Sequence, residues 1–412
     1  MTRLILPLAA AVCLTTQTPP SAATIDQIVK QGNAALAAGR VGEAESAFNH
    51  ALLLAPDNRD AQVQLGIVYL LTDRFVQARL LFRAAADSKP DDPAMQLRVG
   101  AAYVQAAQLT EAEPWLTRAA AQSPDSIDAH VLLGQVFSGT GRPDRAIGEL
   151  RQALRLNPNL AHAHYFLGIA LTLTGQRPEG IEELKKAAAL APENIGFGFY
   201  LGVAYLENRQ DSDAVAELQR IVKLAPDDLE GRVNLAWALI NVGRSSEAAE
   251  HLEAVVARRP SHAVAWFLLG EAARRLGDDR QALARYERAV SIDPAMTDAL
   301  FSLGTVYYRL NDAARAEEWF NRLLAVDANH AGAHYHLGKI ALQRGKVEAA
   351  VAHLEASVRV SPANKGARYQ LARAYRMKGD EAAAARELAA FRELGGDNDE
   401  REQRIDRIGR RK

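Results

Sequence analysis

Five histidines in two short stretches are the side chains best placed to do chemistry: His162 and His164 in "HAH", and His330, His334 and His336 in "HAGAHYH". On a helix, His330 and His334 share one face, the arrangement that brings two imidazoles onto a metal ion. A second regularity competes with that reading. His130, His164 and His334 are separated by multiples of 34 residues, so one structural slot recurring along the chain accounts for them, and no metal site is expected. The paired acids Glu182-Glu183 and Glu317-Glu318 stand on polar helical faces, where solvation explains them. The sequence has no Walker loop, GxSxG elbow, HExxH helix or dinucleotide fingerprint. The expectation is a chain with no catalytic residue, no cofactor and no metal.

The single cysteine, Cys13, lies in "MTRLILPLAAAVCLTTQTPPSAA". That stretch has one early cation, Arg3, an apolar run from Leu4 to Leu14, and the small residues Ser21, Ala22 and Ala23. It is the anatomy of a secretory signal over residues 1–23, cleaved after Ala23. A retained membrane anchor is the rival, but 11 apolar residues fall short of the roughly 20 that a span needs. Lipidation at Cys13 would cut the apolar run short. Cleavage leaves no thiol, which removes disulfides, thiolate metal sites and cysteine nucleophiles together. The expected location is the bacterial periplasm or the exterior.

These side chains need elements to position them, and the elements repeat. A 412-residue chain exceeds what one hydrophobic core of roughly 250–300 residues supports, which calls for several domains or an array of neighbour-contacting units. Its net charge of −1 gives no electrostatic reason to bind nucleic acid. A glycine recurs every 34 residues at Gly32, Gly66, Gly100, Gly134, Gly168, Gly202, Gly270, Gly304 and Gly338, with Ala236 and Ala372 in the remaining places. A small residue follows twelve positions on, from Ala44 to Ala384, and a large apolar one sixteen positions on, including Phe48, Phe82, Tyr286, Phe320 and Leu388. Proline closes nearly every period, from Pro56 to Pro362. Each period reads as two helices. In the ninth, Ala299, Leu303, Val306, Tyr307 and Leu310 share one face, and after Asn311-Asp312 a second face carries Ala316, Phe320, Leu323 and Leu324. Left-handed turn residues are expected at Gly39, Gly141, Gly175, Gly243, Gly277, Gly345 and Gly379, and capping polar residues after the prolines in "PDN", "PDD" and "PNL". The recurrent glycine is expected to face the small residue twelve positions on, so that two helix backbones approach closely.

This pattern resembles the tetratricopeptide repeat, in eleven unbroken copies from 25–58 and 59–92 through 331–364 and 365–398. The resemblance implies an all-α fold, a right-handed superhelical solenoid of antiparallel helix pairs, and a function in holding other proteins rather than in catalysis. The histidine slot is one where the family usually has Trp. The first repeat, with Gln31 and Ala35, reads as a cap. Residues 399–412 read as a charged tail or short capping helix, whose Arg410, Arg411 and Lys412 offer at most peripheral membrane contact.

In this family the second, fifth, ninth and twelfth positions of the first helices line a concave groove. Carried onto this chain, the early repeats present Val29, Leu36, Val63, Ile67, Leu70, Leu97, Val104 and Val131. Later repeats present the aromatics Tyr165, Phe199, Phe267, Phe301, Tyr335 and Tyr369, with Trp237 and Tyr308 beside them and Lys339, Arg373 and Arg376 near the end. Aromatic rings next to cations suit an extended peptide or a glycan; packing against the neighbouring repeat is the structural alternative for the same rings. The expected partners are other proteins, with glycan as the second reading and nucleic acid excluded. The expected function is a non-catalytic scaffold of the bacterial envelope in assembly, secretion or trafficking; the alternative is an accessory in polysaccharide synthesis or export.

Overall fold

The computed structural model describes residues 22–395; most of the leader, the tail 399–412 and the last three residues of the eleventh period lie outside them. Among the described residues there are twenty-two α-helices, numbered α1 (Ala22–Ala37) to α22 (Glu381–Glu393) in chain order, and no strand. They fall into two compact units, Met1–Ala204 and Tyr205–Lys412. Each odd-numbered helix from α1 to α9 and from α13 to α21 packs against the even-numbered one that follows it, and within each unit these pairs pack on one another in succession. No helix among the described residues is long and apolar enough to cross a membrane.

Three-residue turns close the pairs, except for the last, which Gly379 and Asp380 close alone. In α17 (Thr297–Arg309) and α18 (Ala313–Val326), Asn311 takes φ 61°, and the Asp312 amide returns to the Tyr307 carbonyl at 2.9 Å. The glycines expected to sit at this position have φ between 70° and 86°, where a side chain would be strained. Asp73, Ala107 and Arg209 adopt the same left-handed turn without glycine. The first helices start on side-chain caps at Asn58, Asp92 and Ser126, which accept from Ala61, Met95 and Ala129. The expectation for "PNL" fails, since α9 (Ala161–Leu173) begins after Leu160 without a side-chain cap.

The seam inside each pair corrects the sequence reading of the glycine. A Cβ built on Gly304 would lie 2.5 Å from Cε1 of Phe320, sixteen positions on. Gly66 meets Phe82, Gly100 meets Leu116, Gly134 meets Leu150, Gly270 meets Tyr286 and Gly338 meets Leu354 in the same way. The glycine is therefore a socket for the large side chain of the facing helix, whose atoms lie nearer to it than those of the small residue. At Gly168 the backbone of the residue twelve on, Gly180, also approaches, at 2.8 Å. The socketed side chains Phe48, Phe82, Tyr286 and Phe320 are fully buried, and burying one stabilises by about 2–3 kcal/mol, more than the roughly 1 kcal/mol a helical glycine costs. Leu310 departs from its expected face. It is the C-cap of α17 and 50% exposed, because the chain has already begun to turn there.

Candidate functional site

The histidine slot has a structural job. His130 and His164 place Nε2 at 2.9 and 2.8 Å from the carbonyls of Pro124 and Pro158, six residues earlier. Gln62, Gln96, Arg232, Trp266, His334 and Arg368 donate to the carbonyl six residues back in the same way. Each of these slot residues ties down a carbonyl of the turn that precedes its helix and so fixes the turn to the helix. His330 is spent differently, its Nδ1 accepting from the Ala333 amide as the cap of α19 (Ala331–Gln343). His330 and His334 therefore face separate backbone partners.

In the first unit, Tyr165 packs on Phe166, Phe197 and Tyr200 at centroid distances of 5.1, 4.7 and 5.4 Å, and Phe199 meets Tyr200 at 5.9 Å. Burial, with Tyr200 alongside, pushes the Tyr165 phenol upward. Tyr165 thus acts chiefly as a packing residue. Several expected groove residues are not at the surface: Val29, Val63, Leu70 and Val104 are all buried. These four side chains lie in the packed interior rather than on an open face. This unit has an open cleft of about 340 Å³ between α5 (Pro93–Gln105) and α7 (Ile127–Gly139), lined by Leu97, Ala101, Val131 and Leu132 together with Arg98 and Asp128.

In the second unit the expected site residues divide. Phe301 is wedged between pairs: its ring lies 5.9 Å from Phe320 and 5.0 Å from His330, and a Cβ on Gly332 would meet it at 2.8 Å. Phe267 rests on Tyr286 and Tyr369 on Phe391, at 5.8 and 5.7 Å. These three work in the packing. Trp237 stands 43% exposed. Arg373 donates to the Gln370 amide oxygen at 2.8 Å, and Arg376 faces Glu381 at 3.8 Å.

Tyr308, Tyr335 and Lys339 come together. The Lys339 ammonium lies 4.8 Å from the Tyr308 ring centroid and 5.2 Å from that of Tyr335, near enough for cation–π attraction to both. Gln343 donates to the Tyr308 hydroxyl at 3.1 Å. His336, not expected in this role, forms the wall behind them. Its ring stacks on Phe320 at 5.0 Å and takes the edges of Tyr308 and Tyr335, each at 5.2 Å. Its position one residue after Tyr335 and three before Lys339 is the sequence signal for this role.

Burial, and secondarily the charge on Lys339, lowers the His336 pKa from 6.5 to about 4. The fold holds the ring neutral while the unfolded chain protonates it, so its contribution is complete above pH 6.5 and is lost as pH falls from 6.5 towards 4. On the order of 2 kcal/mol should disappear between pH 7.5 and pH 5. A His336→Phe chain keeps the stacking and should lose that much less stability over the same interval in urea denaturation. An identical pH dependence in both chains would contradict the assignment.

Comparison with known proteins follows the same period. A tetratricopeptide-repeat family model matches residues 29–93, 74–127, 233–295 and 335–398. A second tetratricopeptide model matches 103–168 and 171–233, and the model of anaphase-promoting complex subunit 3 matches 275–357. No curated protein sequence matches the chain. Among solved structures, YrrB, described as a TPR protein with an unusual peptide-binding site, is 26% identical and covers 45% of this chain and 95% of its own, at a TM-score of 0.42. MamA from Desulfovibrio magneticus is 23% identical over 41% of this chain and 96% of its own, at 0.38. Yeast Tom70 is 14% identical over 93% of this chain and 94% of its own, at 0.46. The first family model alone spans more than half of the sequence, and the chain belongs to the tetratricopeptide-repeat family.

Proposed function

We propose that this protein is a non-catalytic scaffold of the bacterial envelope that holds segments of other proteins against the first helices of its second unit, in assembly, secretion or trafficking. Membership of a family of protein-interaction scaffolds supports the general statement. The observation that carries the location is the partly exposed wall of Tyr308, Tyr335 and Lys339, where two rings and a cation meet on α17 and α19. Rings of this kind anchor interfaces because they bring large area and a polar tip at small entropic cost. The leader over residues 1–23 supports the envelope assignment.

Two measurements test this reading. Amino-terminal sequencing of the protein from an envelope fraction should begin at Thr24; protein retained in the cytoplasm with the leader intact would contradict export. Affinity purification from that fraction should yield a stoichiometric protein partner that a Tyr308→Ala, Tyr335→Ala chain no longer retains. Retention of the same partner by that chain would place binding elsewhere.

A further inference from the structure

We propose that the segment held at Tyr308, Tyr335 and Lys339 is acidic, with one carboxylate on Lys339 and a second on Arg373. This rests on the scaffold reading and adds the chemistry of the partner. The helices α19 (Ala331–Gln343) and α21 (Lys365–Lys378) carry Lys339, Lys365, Arg368, Arg373, Arg376 and Lys378 and not one Asp or Glu, in a chain whose net charge is only −1. Some of this charge is answered inside the fold. Arg368 meets Glu387 at 2.8 Å, Arg376 faces Glu381, and Lys365 donates to the Gly395 carbonyl at 3.1 Å. Lys339 and Arg373 are different. Among the described residues the first has two tyrosine rings for partners and the second a neutral amide.

The hydrogen-bonding character of the site points the same way. Tyr308 accepts its bond from Gln343, so its own O–H proton is left to donate outward. Lys339 and Arg373 can only donate. The two charged groups of this surface are both donors, which suits an acceptor that carries charge, and a carboxylate is the protein group that does. The rings beside Lys339 favour a peptide over a uniformly charged polymer, because they give apolar contact to the residues flanking the acid. The spacing specifies a pattern. Packed helices stand about 8–10 Å apart, and a polyproline-II chain returns a side chain to the same face every three residues, about 9 Å on. Two acidic residues three apart would therefore reach Lys339 and Arg373 together.

The test is an array of decapeptides, each with two glutamates at separations of one to six in an alanine–leucine background, probed with the full chain, plus a matching array with glutamine. Heparin and phosphatidylglycerol vesicles serve as competing polyanions. The expected result is a maximum at a separation of three, at least tenfold weaker binding to the glutamine peptides, and at least tenfold loss in a Lys339→Glu, Arg373→Glu chain. Lys339→Gln, which leaves no repulsive charge, should lose several-fold and guards against misfolding of the reversed-charge chain, as an unchanged melting curve would show. Equal binding to glutamate and glutamine peptides, or no binding to any acidic peptide, would overturn the inference while leaving a protein partner found by affinity purification intact. Tighter binding to heparin or vesicles than to every peptide would also overturn it, in favour of a polyanion surface.

Discussion

A Gly304→Ala chain is expected to be less stable than the parent by about 1–3 kcal/mol, although alanine is the better helix former by roughly 1 kcal/mol. The added Cβ would lie 2.5 Å from a ring carbon of Phe320, inside any allowed contact. The ring is fully buried and has nowhere to withdraw. Leucine in place of Phe320 should rescue the variant. The chain already holds that combination twice, at Ala236 and Leu252 and at Ala372 and Leu388, all of them buried. In no period does an alanine at this position stand over an aromatic ring. The Phe320→Leu chain alone should be destabilised by the space it leaves, so the two changes together should cost less than the sum of each. A coupling of about 1–3 kcal/mol in that direction, read from chemical denaturation of the four chains, is the expected outcome. Strict additivity would mean that glycine and ring do not meet.

The second large effect lies at Glu271 on α15 (Ala263–Arg275). Tyr286 is the one socketed aromatic with a hydroxyl, and that hydroxyl donates to Glu271 Oε1 at 2.5 Å while Arg274 closes on the same carboxylate at 2.7 Å. Burial would raise the carboxyl pKa, but the hydrogen bonds from Arg274 and Tyr286 outweigh it and hold the group below its usual 4.5. Its contribution is present above that value and is lost as pH falls through the lowered one. Replacing Glu271 with alanine strands a buried hydroxyl and should cost about 2–3 kcal/mol. In a Tyr286→Phe background there is no hydroxyl to strand, and the same replacement should cost about 1 kcal/mol less. An equal loss in both backgrounds would show that the hydroxyl takes no part.

The period, the helix pairs and the left-handed turns were legible because each depends on a residue type recurring at fixed spacing. Gly304 and its counterparts stand out in that way, and so does the slot of His130, His164 and His334. What the glycine faces was not legible. Register along one helix does not reveal which residue of the facing helix reaches it, and Phe320 rather than Ala316 fills the space. Groove depth was hidden for a related reason: Val63 and Leu70 occupy the expected positions, yet neighbouring helices cover their side chains. The aromatic wall was half visible. Tyr308, Tyr335 and Lys339 follow from their repeat positions, whereas His336 behind them and the Glu271 network beside Tyr286 depend on how neighbouring helices meet.

Site-specific photo-crosslinking in the living cell tests the account most directly. With a benzophenone side chain at Tyr335, on the first-helix face, a discrete protein adduct should form, and none should form from the exposed Glu318 on the second helix α18. Adducts from Glu318 and none from Tyr335 would contradict the proposed surface.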